Sequence, residues 1–519
     1  MYVQIILLPA EVLGYIFELT LARECDYSLY SSNQFRRFEE GSHNFLLVCR
    51  HWFDVASRNP RLWSFWGRSL QGWNTRCTRA GSVPVDLVLD GEIEDGPPGE
   101  LDTALRDALK ARATQDKIRQ VHLMGDDRDL SSSILSCLTP DGEIVQARRI
   151  ESIIFRVETI RGELSNFFAR SRLPCLRYLE IYGSLQVPLW DHLLATQTTR
   201  LTALSLHFAN GLFPPTTSQL IAVLAANPNL QDLALSKTLP DEIESTEVRV
   251  PLDRLKTIDL WGSFRSVFQL LGLLRLPATL DHTNLIMNDS TLDDVDETLV
   301  PYMQGLFGRD ARFEAPLEVT TSTDRGYVKI VVRPLCSEEE EPGCECEPVV
   351  ELQFSMAEAE RLDRPELKRL ADRLIKHVPL KHLEIFRTEH TLEVPEETFR
   401  SMPNLNCLLL EDVTLSDGFL QVNPNGPHAG NELFPSLNSL CLRNVVVKDG
   451  DWRPLMTYLE RQCSNSRHFF YLDVVSGFDI SKEDMEAIER LVGNFRYLIP
   501  VIPRDGSQGS SSRSATPTP

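Results

Sequence analysis

The residue types able to do chemistry are scattered along this 519-residue chain rather than gathered. Its eleven histidines are dispersed. His377 and His382 stand five apart, a poor helical spacing for gripping one metal. His207 and His382 sit at strand edges and read as structural. Eleven cysteines show no regular spacing, which argues against a disulfide framework in a chain this long. Cys49 in Leu-Leu-Val-Cys and Cys407 in Asn-Cys-Leu-Leu-Leu read as small core residues of a reducing compartment. Cys336, Cys344 and Cys346 flank the acid run Glu338–Glu341. Without a fourth ligand nearby they read as part of a solvated acidic loop rather than a zinc site. There is no Gly-rich phosphate loop, Rossmann fingerprint, Gly-x-Ser-x-Gly elbow or His-Glu-x-x-His. Paired carboxylates abound in so acidic a chain and carry no weight. The expectation is a protein with no catalytic residues, no metal and no cofactor.

Composition narrows the alternatives. The chain is 42% hydrophobic, ample for a large core, and its formal net charge is -21. Residues 1–80 hold nine arginines against seven carboxylates, so the rest carries about -23. An acidic body does not suit a nucleic-acid backbone, which needs clustered Lys and Arg, or an anionic membrane surface. No apolar stretch approaches bilayer-spanning length. The short run Ile5–Leu8 lacks a basic leader and meets Pro9 and Glu11, so it does not read as a signal peptide. The expected location is cytoplasmic or nuclear, which makes the glycosylation match Asn288-Asp289-Ser290 a chance one.

What remains is the elements themselves. Pro9 and Glu11 suit the first turn of a helix, and Val12, Leu13, Ile16, Phe17 and Leu19 come after them at helical spacing. After a polar stretch over about 22–43, a second helix is expected from Phe45 to Ala56, apolar nearly all round. Asn59-Pro60 stops it, and Arg61-Leu62-Trp63 comes next. Three short helices rich in Leu, Phe and Trp cannot bury this surface alone and need something to dock on.

Three segments carry a resemblance: Leu8-Pro9-x-Glu11-x-Leu13-x-x-Ile16-Phe17, Leu47-Val48-Cys49-Arg50-x-Trp52 and Pro60-x-Leu62-Trp63. Together they resemble the F-box family, in the form common in fungal proteins, over about residues 7–67. The insert at 22–43 is longer than a minimal F-box needs. The resemblance implies binding to the Skp adaptor subunit and through it to a cullin ubiquitin ligase. On that basis Leu8, Pro9, Ile16, Phe17, Val48, Cys49 and Trp52 would meet the adaptor. Leu13, Leu47, Leu62 and Trp63 would form the core of the module or pack it against the neighbouring repeat domain.

Beyond it a Leu-x-x-Leu-x-Leu unit recurs at Leu176/Leu179/Ile181, Leu201/Leu204/Leu206, Leu230/Leu233/Leu235 and Leu255/Ile258/Leu260. It returns at Leu380/Leu383/Ile385, Leu405/Leu408/Leu410 and Leu437/Leu440/Leu442, with looser copies at Ile118, Ile150 and Phe469. Steps of about 25–32 residues mark a solenoid. The fourth and sixth positions alternate as in a strand and face one side. Pro174, Pro228, Pro403 and Pro435 stand two residues before the first Leu, where Pro ends a helix and favours extended entry. Amphipathic segments at 218–226, 267–274 and 451–460 fill the intervals. The pattern resembles the leucine-rich-repeat family without its Asn or Cys ladder, so irregular curvature is expected.

The expected fold class is α/β: a small all-α F-box (1–70), then an irregular leucine-rich-repeat-like strand–helix solenoid (71–503) and a disordered tail (504–519). Residues 275–355 break the rhythm with strand-like stretches, either degenerate repeats or an antiparallel insertion. The resemblance implies a substrate-recognition adaptor whose solenoid holds a target protein. The alternative is a repeat scaffold acting outside ubiquitin ligation.

Overall fold

The computed structural model describes most of residues 8–498. Left aside are chiefly 24–45, 67–77, 91–106, 241–248, 336–348, 357–370, 390–400, 416–435 and 466–470, shorter stretches, and everything before 8 and after 498. The expected tail and the Cys336–Cys346 segment lie outside the described residues. The chain divides into two compact units, residues 1–290 and 291–519.

The first unit begins with helix α1 (Ala10–Arg23), a helical turn at 46–48, helix α2 (Arg50–Arg58) and a 3-10 turn (Pro60–Trp63). Next comes a parallel sheet: β1 (Phe65–Trp66), β2 (Val85–Asp90), β3 (Ile118–Met124), β4 (Ser152–Ile160), β5 (Tyr178–Leu185), β6 (Ala203–Phe208), β7 (Asp232–Ser236), β8 (Thr257–Ser263) and β9 (His282–Ser290). Each strand pairs in parallel with the next in sequence. Helices α3 (Arg128–Leu138), α4 (Gly162–Arg170), α5 (Trp190–Ala195), α6 (Thr217–Ala226) and α7 (Phe264–Leu273) connect them.

The register explains the periodicity. One core row runs Leu87, Val121, Ile153, Leu179, Leu204, Leu233, Ile258, Thr283, and a second runs Leu89, Leu123, Phe155, Ile181, Leu206, Leu235, Leu260, Leu285. All sixteen side chains are buried. They face the helices, whose own apolar side chains (Phe167, Phe168, Leu224, Val267, Leu270) are buried too. No single repeat could hide its face alone, so stacking makes the core.

Backbone groups at each strand entry are satisfied by a repeated device: one carbonyl accepts from two successive N–H groups of the next repeat. Thr202 O takes Gln231 N (2.7 Å) and Asp232 N (3.0 Å), and Gln231 O takes Lys256 N (2.7 Å) and Thr257 N (3.0 Å). Side chains reinforce it. Asn227, just past α6, accepts from Leu201 N at 3.0 Å and donates to Val223 O at 2.8 Å. Thr216 and Gln219 form a capping box at the start of α6.

The second unit is less regular. Its strands β10 (Leu317–Asp324), β11 (Tyr327–Pro334) and β12 (Val350–Met356) form an antiparallel meander. From β10 the sheet then continues in parallel through β13 (Leu383–Glu389), β14 (Cys407–Glu411), β15 (Ser439–Arg443), β16 (Tyr471–Val475) and β17 (Asn494–Leu498). The irregular segment therefore resolves into both alternatives. Its first strand, β9, is a regular parallel repeat, and the antiparallel part begins only at β10.

Two further differences from the sequence reading concern one strand register and one helix boundary. The unit read as Leu380/Leu383/Ile385 is offset by three: Phe386 pairs with Leu408 and Thr388 with Leu410, so the inward set is Leu383/Phe386/Thr388. The sequence offers both sets, and the pairing with β14 takes the second even though it puts Thr388 at an inward position. The second expected helix is not continuous from 45 to 56. It breaks at Cys49, whose backbone is extended (φ -163°) and whose Sγ accepts from Trp52 N at 3.5 Å as the cap of α2.

Candidate functional site

Two surfaces of the first unit present side chains that repeat packing does not consume. The first is on the N-terminal helical module. Helix α1 carries apolar residues on two sides. Leu13 and Phe17, one turn apart, point inward with Ala56, Leu62 and Val88 to make one buried cluster, against which Leu46, Trp52, Val55, Trp63 and Met124 pack. The Phe17 and Trp52 rings meet at 5.0 Å. Val88 and Met124 belong to β2 and β3, and on those strands they alternate with the helix-facing Leu87, Leu89 and Leu123. The module thus packs on the sheet face opposite the helices, over its first strands.

Polar contacts fix the module. Glu18 accepts from Asn59 Nδ2 (3.0 Å) and Arg61 Nη1 (2.7 Å), tying α1 to the 3-10 turn. Asn59 also caps that turn through Arg61 N at 3.2 Å. Trp63 Nε1 donates to Ala56 O at 2.9 Å, and the Arg79 guanidinium stands 4.3 Å over the Trp63 ring. Asp86 N donates to Ser64 O at 2.8 Å as β1 joins the sheet. At Gly14 the helices come close: a Cβ there would lie 3.4 Å from Asn59 Nδ2.

The other side of α1 faces solvent. Val12, Ile16 and Leu19 recur at helical spacing and are all exposed, beside Tyr15 at 61%. Leu47 (81%), Val48 (55%) and Phe53 add to this apolar surface.

Among the residues expected to meet an adaptor, Pro9, Ile16 and Val48 are exposed, and Leu8, Cys49 and Trp52 are half-buried. Phe17 is placed in the core rather than on a contact surface, because it shares the inward side of α1 with Leu13. Leu47 is corrected in the opposite sense. Expected in the core or its packing, it is the most exposed large apolar residue among the described residues, because its neighbour Leu46 takes the inward position. Leu13 and Leu62 are core residues, and Trp63 packs against them.

The second surface is the sheet face opposite the helices. Side chains of β2–β4 there are deeply covered: Asp86, Val88, His122 and Ile154 are all buried. Burial holds His122 neutral, with its pKa lowered to about 3 and the nearby Arg156 adding to the effect. Its Nε2 lies 3.2 Å from Ser152 Oγ. From β5 onward the face opens. Glu180 binds Arg156 Nε and accepts from Tyr178 Oη at 2.7 Å. That bond strengthens the hold of Arg156 on its proton, and burial together with Glu180 raises the Tyr178 pKa. His207 Nε2 meets Ser205 Oγ at 2.9 Å, and burial lowers its pKa against the pull of Asp259. Thr257 donates to Asp232 (2.8 Å) and Asn284 to Asp259 (3.2 Å). Tyr182 is 54% exposed, and the Lys237 ammonium stands 4.9 Å over Trp261. Sequence reading singled out His207 here but none of the other members. Their signal was the position between the two core rows of each repeat.

Among the described residues no group of three or more His, Cys, Asp or Glu is arranged to hold a metal. No helix among them is long and apolar enough to cross a membrane.

The class this architecture defines is a leucine-rich-repeat-like α/β array with a helical module at its N-terminal end. No family model matches the chain, and no curated protein matches it. Among solved structures it is similar to an internalin (inlF) from Listeria monocytogenes, at 13% identity and a TM-score of 0.31, over 73% of this chain and 86% of that one.

Proposed function

We propose that the chain is a substrate-recognition adaptor of a Skp–cullin–F-box ubiquitin ligase. The module would dock on the Skp adaptor subunit, the repeats would hold a target protein, and the chain would do no chemistry of its own. The observation that carries this reading is the exposed apolar side of α1 with Leu47 and Val48. A helix with apolar residues on two sides needs cover for each, and the sheet covers only one. Exposed apolar patches of this kind mark protein interfaces. Ile16, Leu47 and Val48 on this face and the exposed Pro9 belong to the F-box-like segments, as do the half-buried Leu8 and Cys49, and Phe17 and Trp52 pack in the cluster beneath. The mechanism is proximity: a target held by the repeats experiences a raised local concentration of the ligase. The polar sheet face from Tyr178 to Asn284 offers the directional hydrogen-bonding groups that would choose one target over another.

The test is co-purification of the full chain with the Skp adaptor, repeated with Leu8→Ala and Pro9→Ala combined. A stable complex for the parent and its loss in the variant are expected. A parent chain that does not associate would overturn the assignment.

A further inference from the structure

The docking face on α1 has a second part that apolar contact does not explain. A groove runs between α1 and α2, lined on its apolar side by Gly14, Val55 and Pro60, and it also takes in Glu11, Tyr15 and Asp54. With about 100° per helical residue, Gly14 and Glu18 lie toward α2 and Val12, Ile16 and Leu19 lie away from it. Tyr15 falls between the two sets. A partner covering the apolar stripe therefore reaches the groove.

The charges facing this groove are unequal. Glu18 is bound by Asn59 and Arg61. Glu11 and Asp54 have no cation within ion-pair distance among the described residues, although Arg58 and His51 also line the groove. His51 turns its Nε2 to Leu8 O at 3.4 Å. The cleft thus combines an apolar wall, an exposed phenol ring and two carboxylates with no counter-ion among the described residues. A long aliphatic stem ending in a cation matches all three: the stem covers the wall, the head sits among the carboxylates, and Tyr15 offers a ring face.

We infer that this groove takes a lysine or arginine side chain of the protein that docks on the module, giving that contact an electrostatic anchor beside its apolar one. The inference rests on the proposed docking of the Skp adaptor and adds to it the chemistry of one contact. The anchor sets orientation and encounter rate, while the apolar stripe supplies most of the affinity.

The experiment titrates the purified full chain with the Skp adaptor at a series of salt concentrations. It compares the parent, the double variant Glu11→Gln/Asp54→Asn, and Asp232→Asn on the sheet face as a control. Parent-like thermal unfolding of each variant checks that the fold persists. The double variant should bind about 5- to 30-fold more weakly at low salt, with a flatter salt dependence, as expected for losing a partly desolvated charge contact. Asp232→Asn should bind as the parent does. Binding by the double variant within twofold of the parent, with the same salt slope, overturns the anchor and leaves the adaptor assignment standing. Failure of the parent itself to bind overturns the assignment on which the anchor rests.

Discussion

The two open surfaces of the first unit are built on opposite terms. On the helical module the exposed side chains are apolar: Val12, Ile16, Leu19, Leu47 and Val48 lie open to solvent. On the sheet face from β4 to β9 the side chains are mostly polar and tied to one another, as in the Arg156–Glu180–Tyr178 set and the Asp259–Asn284 pair. An apolar surface gains from any complementary cover, so it suits a partner that is always the same. A self-satisfied polar surface gains only from a partner that replaces its hydrogen bonds with equally good ones. Under the proposed function this difference divides the labour, with constant docking at one end and selective binding on the sheet.

The largest expected effect breaks the module from beneath. Phe17→Ala removes a fully buried ring from the Leu13–Ala56–Leu62–Val88 cluster and should cost about 3–5 kcal/mol of stability. Denaturant unfolding measures this. A loss below about 1 kcal/mol would mean that the module does not pack on the sheet as described.

Acid comes next. His122 has a folded pKa of about 3 against an ordinary value near 6.5. The unfolded chain therefore binds a proton that the folded chain refuses over that interval. The contribution of neutral His122 is fully present above about pH 6.5 and is lost as pH falls from there toward 3. Its slope is up to about 1.4 kcal/mol per pH unit for a single proton. Melting temperature monitored between pH 7 and 4 should drop less steeply in His122→Phe than in the parent. Parallel curves would show that the imidazole is not buried neutral.

On the sheet face Glu180→Gln leaves Arg156 with a weaker partner and should cost about 1–3 kcal/mol, read by chemical unfolding. The smallest stability effects belong to the exposed surfaces themselves. Ile16→Asp and Tyr182→Ala should each stay within about 0.5 kcal/mol of the parent, measured the same way. A larger loss in either would mean that its side chain is part of the core.

Much of the fold could be read in advance because leucine at the inward positions is a loud signal. The units at Leu176, Leu201, Leu230 and Leu255 lie in register in the sheet as the spacing demanded. The units that were missed carry quieter residues at the repeat positions. Leu280/Thr283/Leu285 continues the period 25 residues after Leu255, but Thr283 hides a buried hydroxyl in an apolar row. The last repeat carries Val492, Phe495 and Tyr497 where other units have leucine, and its strand pairs Phe495 with Leu472 and Tyr497 with Val474. At 380–388 two apolar patterns three residues apart competed, and only strand pairing chose between them. The same ambiguity governs the site. Spacing showed that α1 is apolar on more than one side, but which side faces the sheet depends on Val88 and Met124, more than seventy residues away. That is why Phe17 and Leu47 exchanged their expected places.

The measurement that tests the central claim most directly is side-chain footprinting of the full chain with and without the Skp adaptor. Adaptor binding should protect Tyr15, Leu47 and Phe53 on the module and leave Tyr182 and Trp261 on the sheet face as reactive as before. Unchanged reactivity at Tyr15, Leu47 and Phe53, or protection confined to the sheet face, would contradict the account.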